Sequence, residues 1–181
     1  MKYNNNWLIT RLQENEKPDF LFFWGHKPSK DGSVTKSCFS QWWPVSFIID
    51  NITYPTAEHW MMVSKARLFG DVEIQEKMLT TSSPADVKKL GRKVKNFEPT
   101  LWETHKYDIV VEGNLHKFAQ HPVLKGFLLK TGENILVEAS PVDTIWGIGM
   151  AADHPEINNP ASWRGENLLG YALMEVRDKL K

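Results

Sequence analysis

The chain reads as an α+β protein: a single compact, mainly helical domain with a few short strands. Its 181 residues suffice to enclose one hydrophobic core. Apolar stripes of helical length dominate from residue 57 onward, and the strand-like runs are few and short, a mixture that fits helices gathered on a small amount of sheet. No repeat and no low-complexity block interrupts the pattern.

Taken in order, residues 1–18 form a polar N-terminal extension, the only tail-like stretch, and 19–181 form the domain. FLFFW at 20–24 has the length and composition of a short buried strand. HKPSKDGSVTKS gathers Pro, Gly, Asp and Ser and marks a loop. Phe47 to Asp50 and Ile52 to Tyr54 predict a hairpin that turns at Asp50-Asn51. Thr56 is an N-cap for a helix from Ala57 to Phe69, closed by Gly70. A second helix spans Val72 to Leu79. A third opens at SSPAD, with Ser83 as cap and Pro84 at the first position, and ends near Gly91. Pro99 starts a long helix to about Gln120, in which Tyr107, Val111, Leu115 and Phe118 make a core-facing stripe. His121-Pro122 breaks it, and a short helix follows from Val123 to Lys130. ILVEAS at 135–140 alternates like a strand, and SPVDTIWGIGM is a loop. The last helix, Asn167 to Leu180, puts Leu169, Leu173, Val176 and Leu180 on one face.

With 22 basic and 22 acidic residues the formal charge is zero, so no overall field draws the protein to nucleic acid or to an anionic membrane, and phosphate recognition has to be local. Cys38 is the only cysteine, which excludes an internal disulfide framework and a multi-cysteine zinc site. No apolar run approaches the roughly 18 residues of a membrane span, and no leader-like segment opens the sequence, so a cytoplasmic, membrane-free protein is expected. The 8 tryptophans suit either a core or stacking on flat ligands.

The chemistry-bearing residues begin with Glu58. It lies in the first turn of its helix, where free backbone N–H groups favour the carboxylate while apolar neighbours favour the neutral acid. Lys65 follows almost two turns later, on the same face and about 10 Å along the axis. One small ligand can touch both, although a decorated helix start and a snorkelling lysine account for the same spacing. His59 points about 100° away from Glu58 and reads as structural, and with no second histidine on that face no metal site is expected. In LVEASPVDTIWGIG, Asp143 is the candidate acid. Gly147 and Gly149 serve either a close ligand approach or a tight turn. KKLGRKVK at 88–95 carries five basic residues, suited to a phosphate or simply to solvated surface. Nothing near Cys38 activates a thiolate, which points to a buried residue.

Six ordered blocks, FLFFWGH (20–26), SCFSQWWPVSF (37–47), YPTAEHWMMVSKARLFGD (54–71), LGRKVKNF (90–97), LVEASPVDTIWGIG (136–149) and WRGENLLGYALMEVR (163–177), resemble the NADAR, or YbiA-like, family. The resemblance covers nearly everything after Asp19. It implies a compact, mainly helical α+β fold and N-glycosidase activity. The substrate classes it implies are ribosylamino-pyrimidine phosphates of early riboflavin synthesis and ADP-ribose attached to guanine in nucleic acid. The matching active-site positions are Glu58, Lys65, Trp102, Asp143 and Trp146, with Arg92, Lys93, Gly25 and Ser40 placed among the substrate-binding residues. No cofactor and no obligate protein partner are expected. In both substrates C1′ of a ribose bears an exocyclic amine. Lys65 therefore forms a transient Schiff base with C1′ while Glu58 or Asp143 shuttles protons, or a carboxylate activates water directly while Lys65 binds phosphate. The non-enzymatic alternative is a module that binds ADP-ribose or a nucleotide without cleaving it.

Overall fold

The computed structural model describes residues 1–181. Its elements run α1 (Asn5–Gln13), β1 (Phe20–Phe23), β2 (Phe47–Ile49), β3 (Ile52–Tyr54), α2 (Ala57–Leu68), α3 (Val72–Leu79), α4 (Pro84–Gly91), α5 (Pro99–Gln120), α6 (Pro122–Leu129), β4 (Ile135–Glu138) and α7 (Leu168–Leu180). The α+β class read from the sequence is the class observed. The chain packs as two compact units: Met1–Ser40 with Pro122–Lys181, and Gln41–His121. Neither boundary coincides with a linker-like composition.

In the first unit β1 lies parallel to β4, in a register running from Phe20 opposite Ile135 to Phe23 opposite Glu138. Helix α7 packs on β4. Two residues make that approach possible. A Cβ on Gly170 would fall 2.1 Å from the Leu136 carbonyl oxygen, so only glycine fits the crossing. Asn167, left-handed at φ 54°, precedes the helix. Its side-chain amide acts as a substitute strand for β4: the Glu138 N–H donates to Oδ1 at 3.0 Å and Nδ2 donates to the Leu136 carbonyl at 3.0 Å. Ile135, Leu136 and Val137 are wholly buried, and these two bonds give the backbone of β4 partners on the side away from β1.

The polar N-terminal stretch is no tail. Asn4 caps α1 by accepting the Trp7 N–H, and Leu8 is wholly buried. The Asn5 side chain donates to the Gly165 carbonyl and accepts the Tyr171 hydroxyl, while the Tyr3 hydroxyl donates to Asp178. Of the apolar residues Trp7, Leu8, Ile9 and Leu12 in this helix only Leu8 is fully buried, and the side-chain hydrogen bonds that hold it reach residues more than 150 positions away, which no local pattern announces.

In the second unit β2 and β3 form the expected hairpin. Asp50 (φ 51°) and Asn51 (φ 61°) are both left-handed, the geometry of a two-residue type I′ turn. Helix α2 then runs through the middle of this unit, packed on α3, α4 and α5. Every residue from Ala57 to Ser64 is buried, so its first two turns are enclosed on all sides, as a central helix is. Glycines let its neighbours come close. A Cβ on Gly113 of α5 would sit 2.3 Å from Cδ1 of Trp60, and one on Gly91 of α4 would sit 2.1 Å from Sδ of Met62. On α5 the buried face contains Tyr107, Val110, Val111, Asn114 and Phe118, whereas Leu115 is only half-buried. Three of the four residues of the expected stripe, Tyr107, Val111 and Phe118, therefore face the core, with Asn114 buried where Leu115 was expected.

Candidate active site

Glu58 occupies the second position of α2. Its side chain is 2% exposed, and its N–H donates to the Gln41 carbonyl at 2.9 Å. The Thr56 side chain accepts the His59 N–H, so the first turn is closed by a cap and by a carbonyl from outside the helix. His59 is fully engaged in structure. Its Nε2–H donates to the Thr81 carbonyl at 3.0 Å and Nδ1 accepts the Thr56 hydroxyl at 2.8 Å. Burial holds this imidazole below its ordinary pKa, hence neutral.

Lys65, two turns on, is half-buried. Its Nζ donates to the Gly91 carbonyl at 3.0 Å and sits 4.2 Å from the ring centroid of Phe97 and 5.5 Å from that of Trp102. Burial lowers the pKa of the amine from the usual lysine value. Phe97 and the Gly91 carbonyl were not among the residues singled out in the sequence. Both lie inside or beside the LGRKVKNF block, and the left-handed Asn96 (φ 55°) just ahead of Phe97 marks the turn that presents its ring. Arg92 and Lys93 are exposed immediately after Gly91. Of the same basic stretch, Lys89 is paired with Asp86 and Lys95 with Glu73.

The second unit thus gathers the Lys65 amine, the Trp102 and Phe97 rings and the end of α4 that carries Arg92 and Lys93, with Glu58 on the same helix as the amine. The remaining candidates belong to the first unit. Asp143 is half-buried, and its Oδ1 accepts the N–H groups of Ile145 (2.9 Å) and Trp146 (2.8 Å), which ties the half-buried Trp146 to it through the backbone. The glycines of this loop serve packing. A Cβ on Gly147 would lie 2.8 Å from the Glu138 carbonyl, and Gly165 approaches the Gly147 carbonyl within 2.3 Å of where its own Cβ would be. Of the two readings of the GIG segment, the tight turn is the one these distances support. Gly25 is left-handed (φ 82°) and exposed just beyond β1, and Ser40 is half-buried after the 3-10 turn Lys36–Phe39. Cys38 is buried.

The NADAR domain profile matches residues 22–181. A curated relative, N-glycosidase R617 of Acanthamoeba polyphaga mimivirus, is 44% identical over 91% of this chain and 98% of its own length. The chain belongs to the NADAR family. Other members diverge further: N-glycosidase YbiA of Escherichia coli K12 is 33% identical, with 76% of each chain covered. The NADAR fold is recognisable in three dimensions as well. The NMR structure of the E. coli protein YbiA superposes with a TM-score of 0.71 at 28% identity, covering 91% of this chain and 86% of that one. No helix of this NADAR protein is long and apolar enough to cross a membrane.

Proposed function

We propose that this chain is an N-glycosidase that hydrolyses the bond between ribose C1′ and an exocyclic amine, in ribosylamino-pyrimidine phosphates of early riboflavin synthesis or in ADP-ribosylated guanine of nucleic acid. The reaction class follows from a family whose curated members include several N-glycosidases. The observation that carries the mechanism is the Lys65 amine, partly removed from water, depressed in pKa and set beside two aromatic rings on the helix that bears the buried Glu58.

A carboxyl group, Glu58 or Asp143, protonates the ribose ring oxygen. The C1′–O bond breaks and the exocyclic nitrogen donates its lone pair to form an imine at C1′. Unprotonated Lys65 adds to C1′ through Nζ. The base departs as its free amine, taking a proton, and leaves the sugar as a Schiff base on Lys65. Water adds to C1′, the Nζ–C1′ bond breaks, and the sugar aldehyde closes again. Trp102, beside the Lys65 amine, stacks on the planar base, a contact worth about 1–3 kcal/mol per base in nucleic-acid-binding proteins. Arg92 and Lys93 meet the phosphate, and Gly25 and Ser40 line the substrate. No step calls on a cofactor.

One observation favours a second route. The Phe97 ring 4.2 Å from Nζ favours the ammonium form. A charged Lys65 binds phosphate, while Glu58 or Asp143 stabilises an oxocarbenium-like C1′ and activates water. Borohydride reduction during turnover separates the two. A sugar adduct on the Lys65 peptide, absent in Lys65→Arg, is the expected result, and base release without any adduct supports the direct route. With Glu58 as the carboxyl group, Glu58→Gln lowers kcat by about 10²–10⁴-fold on both routes, and an unchanged kcat assigns the role to Asp143. If chromatography detects no base released from either substrate class, the proposal fails.

A further inference from the structure

Two buried side-chain amides, Gln41 and Asn114, are linked to Glu58 through the Gln41 main chain and take no part in the chemistry above. Gln41 contributes its main-chain carbonyl to the Glu58 N–H, at 2.9 Å. Its side chain is held in turn by α5: Asn114 Nδ2 donates to Gln41 Oε1 at 2.7 Å and to the Val110 carbonyl at 2.9 Å. The Val110 carbonyl accepts only from nitrogen, so it sets which way the Asn114 amide faces, and Asn114 sets the Gln41 amide. The arrangement leaves Gln41 Nε2 and Asn114 Oδ1 without a hydrogen-bond partner, on residues 7% and 0% exposed. Such unmet buried groups weaken a fold, and an apolar pair of similar shape serves stability as well or better. Side chains held at a cost to stability and joined through one residue to a reacting group point to function.

We propose that Asn114 is a positioning residue for Glu58, acting through Gln41. The helix α2 leaves its early N–H groups without internal acceptors. Thr56 takes one of them and Gln41 takes that of Glu58, so the direction in which the carboxyl group leaves the helix depends on where Gln41 is held. Asn114 anchors Gln41 to a rigid position in the long helix α5. Loss of that anchor lets the first turn shift without unfolding it. The inference rests on the N-glycosidase reading for its consequence in catalysis, but its structural half stands alone.

Hydrogen exchange measured by NMR tests that half. In Asn114→Leu, exchange of the Glu58 amide accelerates about tenfold, the loss of roughly one hydrogen bond, while that of Ala66 deeper in α2 is unchanged. The kinetic half uses whichever of the two substrate classes the wild type cleaves. There kcat falls about 10- to 100-fold with little change in KM, and the melting temperature is equal to or above the wild type's. Gln41→Met, which keeps the main-chain carbonyl and removes Oε1, reproduces both effects. The double variant is no slower than either single one. Unchanged Glu58 exchange overturns the proposal whether or not the protein cleaves anything, as does an activity loss that merely tracks a lower melting temperature. A wild type that releases no base, with accelerated Glu58 exchange in the variants, sinks the glycosidase reading and leaves the positioning intact.

Discussion

At the scale of the residue, Lys65 carries the most consequence. An ordinary lysine titrates near 10.5, and burial moves this one downward. The sign of the pH dependence follows: a larger fraction of free amine is present at neutral pH than an exposed lysine would offer. In the Schiff-base route kcat/KM therefore rises with pH through an ionisation below 10.5, and the rising limb is missing in Lys65→Arg. A pH–rate profile of both proteins checks it, and a wild-type limb at or above 10.5 contradicts the free-amine role. The spacing of Glu58 and Lys65 on one helix was legible in the sequence, because seven residues return to nearly the same helical face. The Phe97 ring and the Gly91 carbonyl at the amine were not. They are brought there by the end of α4 and the turn at Asn96, which spacing along α2 has no means of encoding.

At the scale of the element, helices α2 and α7 show how close packing places polar groups. Most boundaries were readable: Thr56, Ser83 and Pro84 at helix starts and Asp50-Asn51 in the hairpin are local signals with local causes. The glycines that govern packing were not readable, since their reason lies on another element. Gly170 supplies the test. Replacing glycine by alanine inside an exposed helix stabilises by about 1 kcal/mol. Here the new methyl group meets the Leu136 carbonyl, which is backbone and cannot swing aside. Gly170→Ala is accordingly expected to destabilise by about 1–3 kcal/mol, measured by urea unfolding. A neutral or stabilised variant contradicts the close approach of α7 to β4. The same reasoning applies to Gly113 of α5, where an added Cβ would meet the Trp60 ring.

At the scale of the whole molecule, the first unit is built from both ends of the sequence, and α1 belongs to it. Leu8 gives the measurable consequence. Leu8→Ala should cost about 2–5 kcal/mol by thermal or urea unfolding, the range for a buried leucine, whereas a residue in a loose extension would register almost nothing. By itself the sequence determined the α+β class, most helix and turn boundaries, the NADAR resemblance and the pairing of Glu58 with Lys65 on one face, because these depend on neighbours within a few turns. The tertiary structure alone decided that residues 5–13 are a docked helix, that Asn167 serves as a strand substitute for β4, that the loop glycines are packing residues, and which groups surround the Lys65 amine. Each of these depends on atoms distant along the chain meeting at hydrogen-bond or van der Waals range, and the sequence shows such meetings only once the chain has folded.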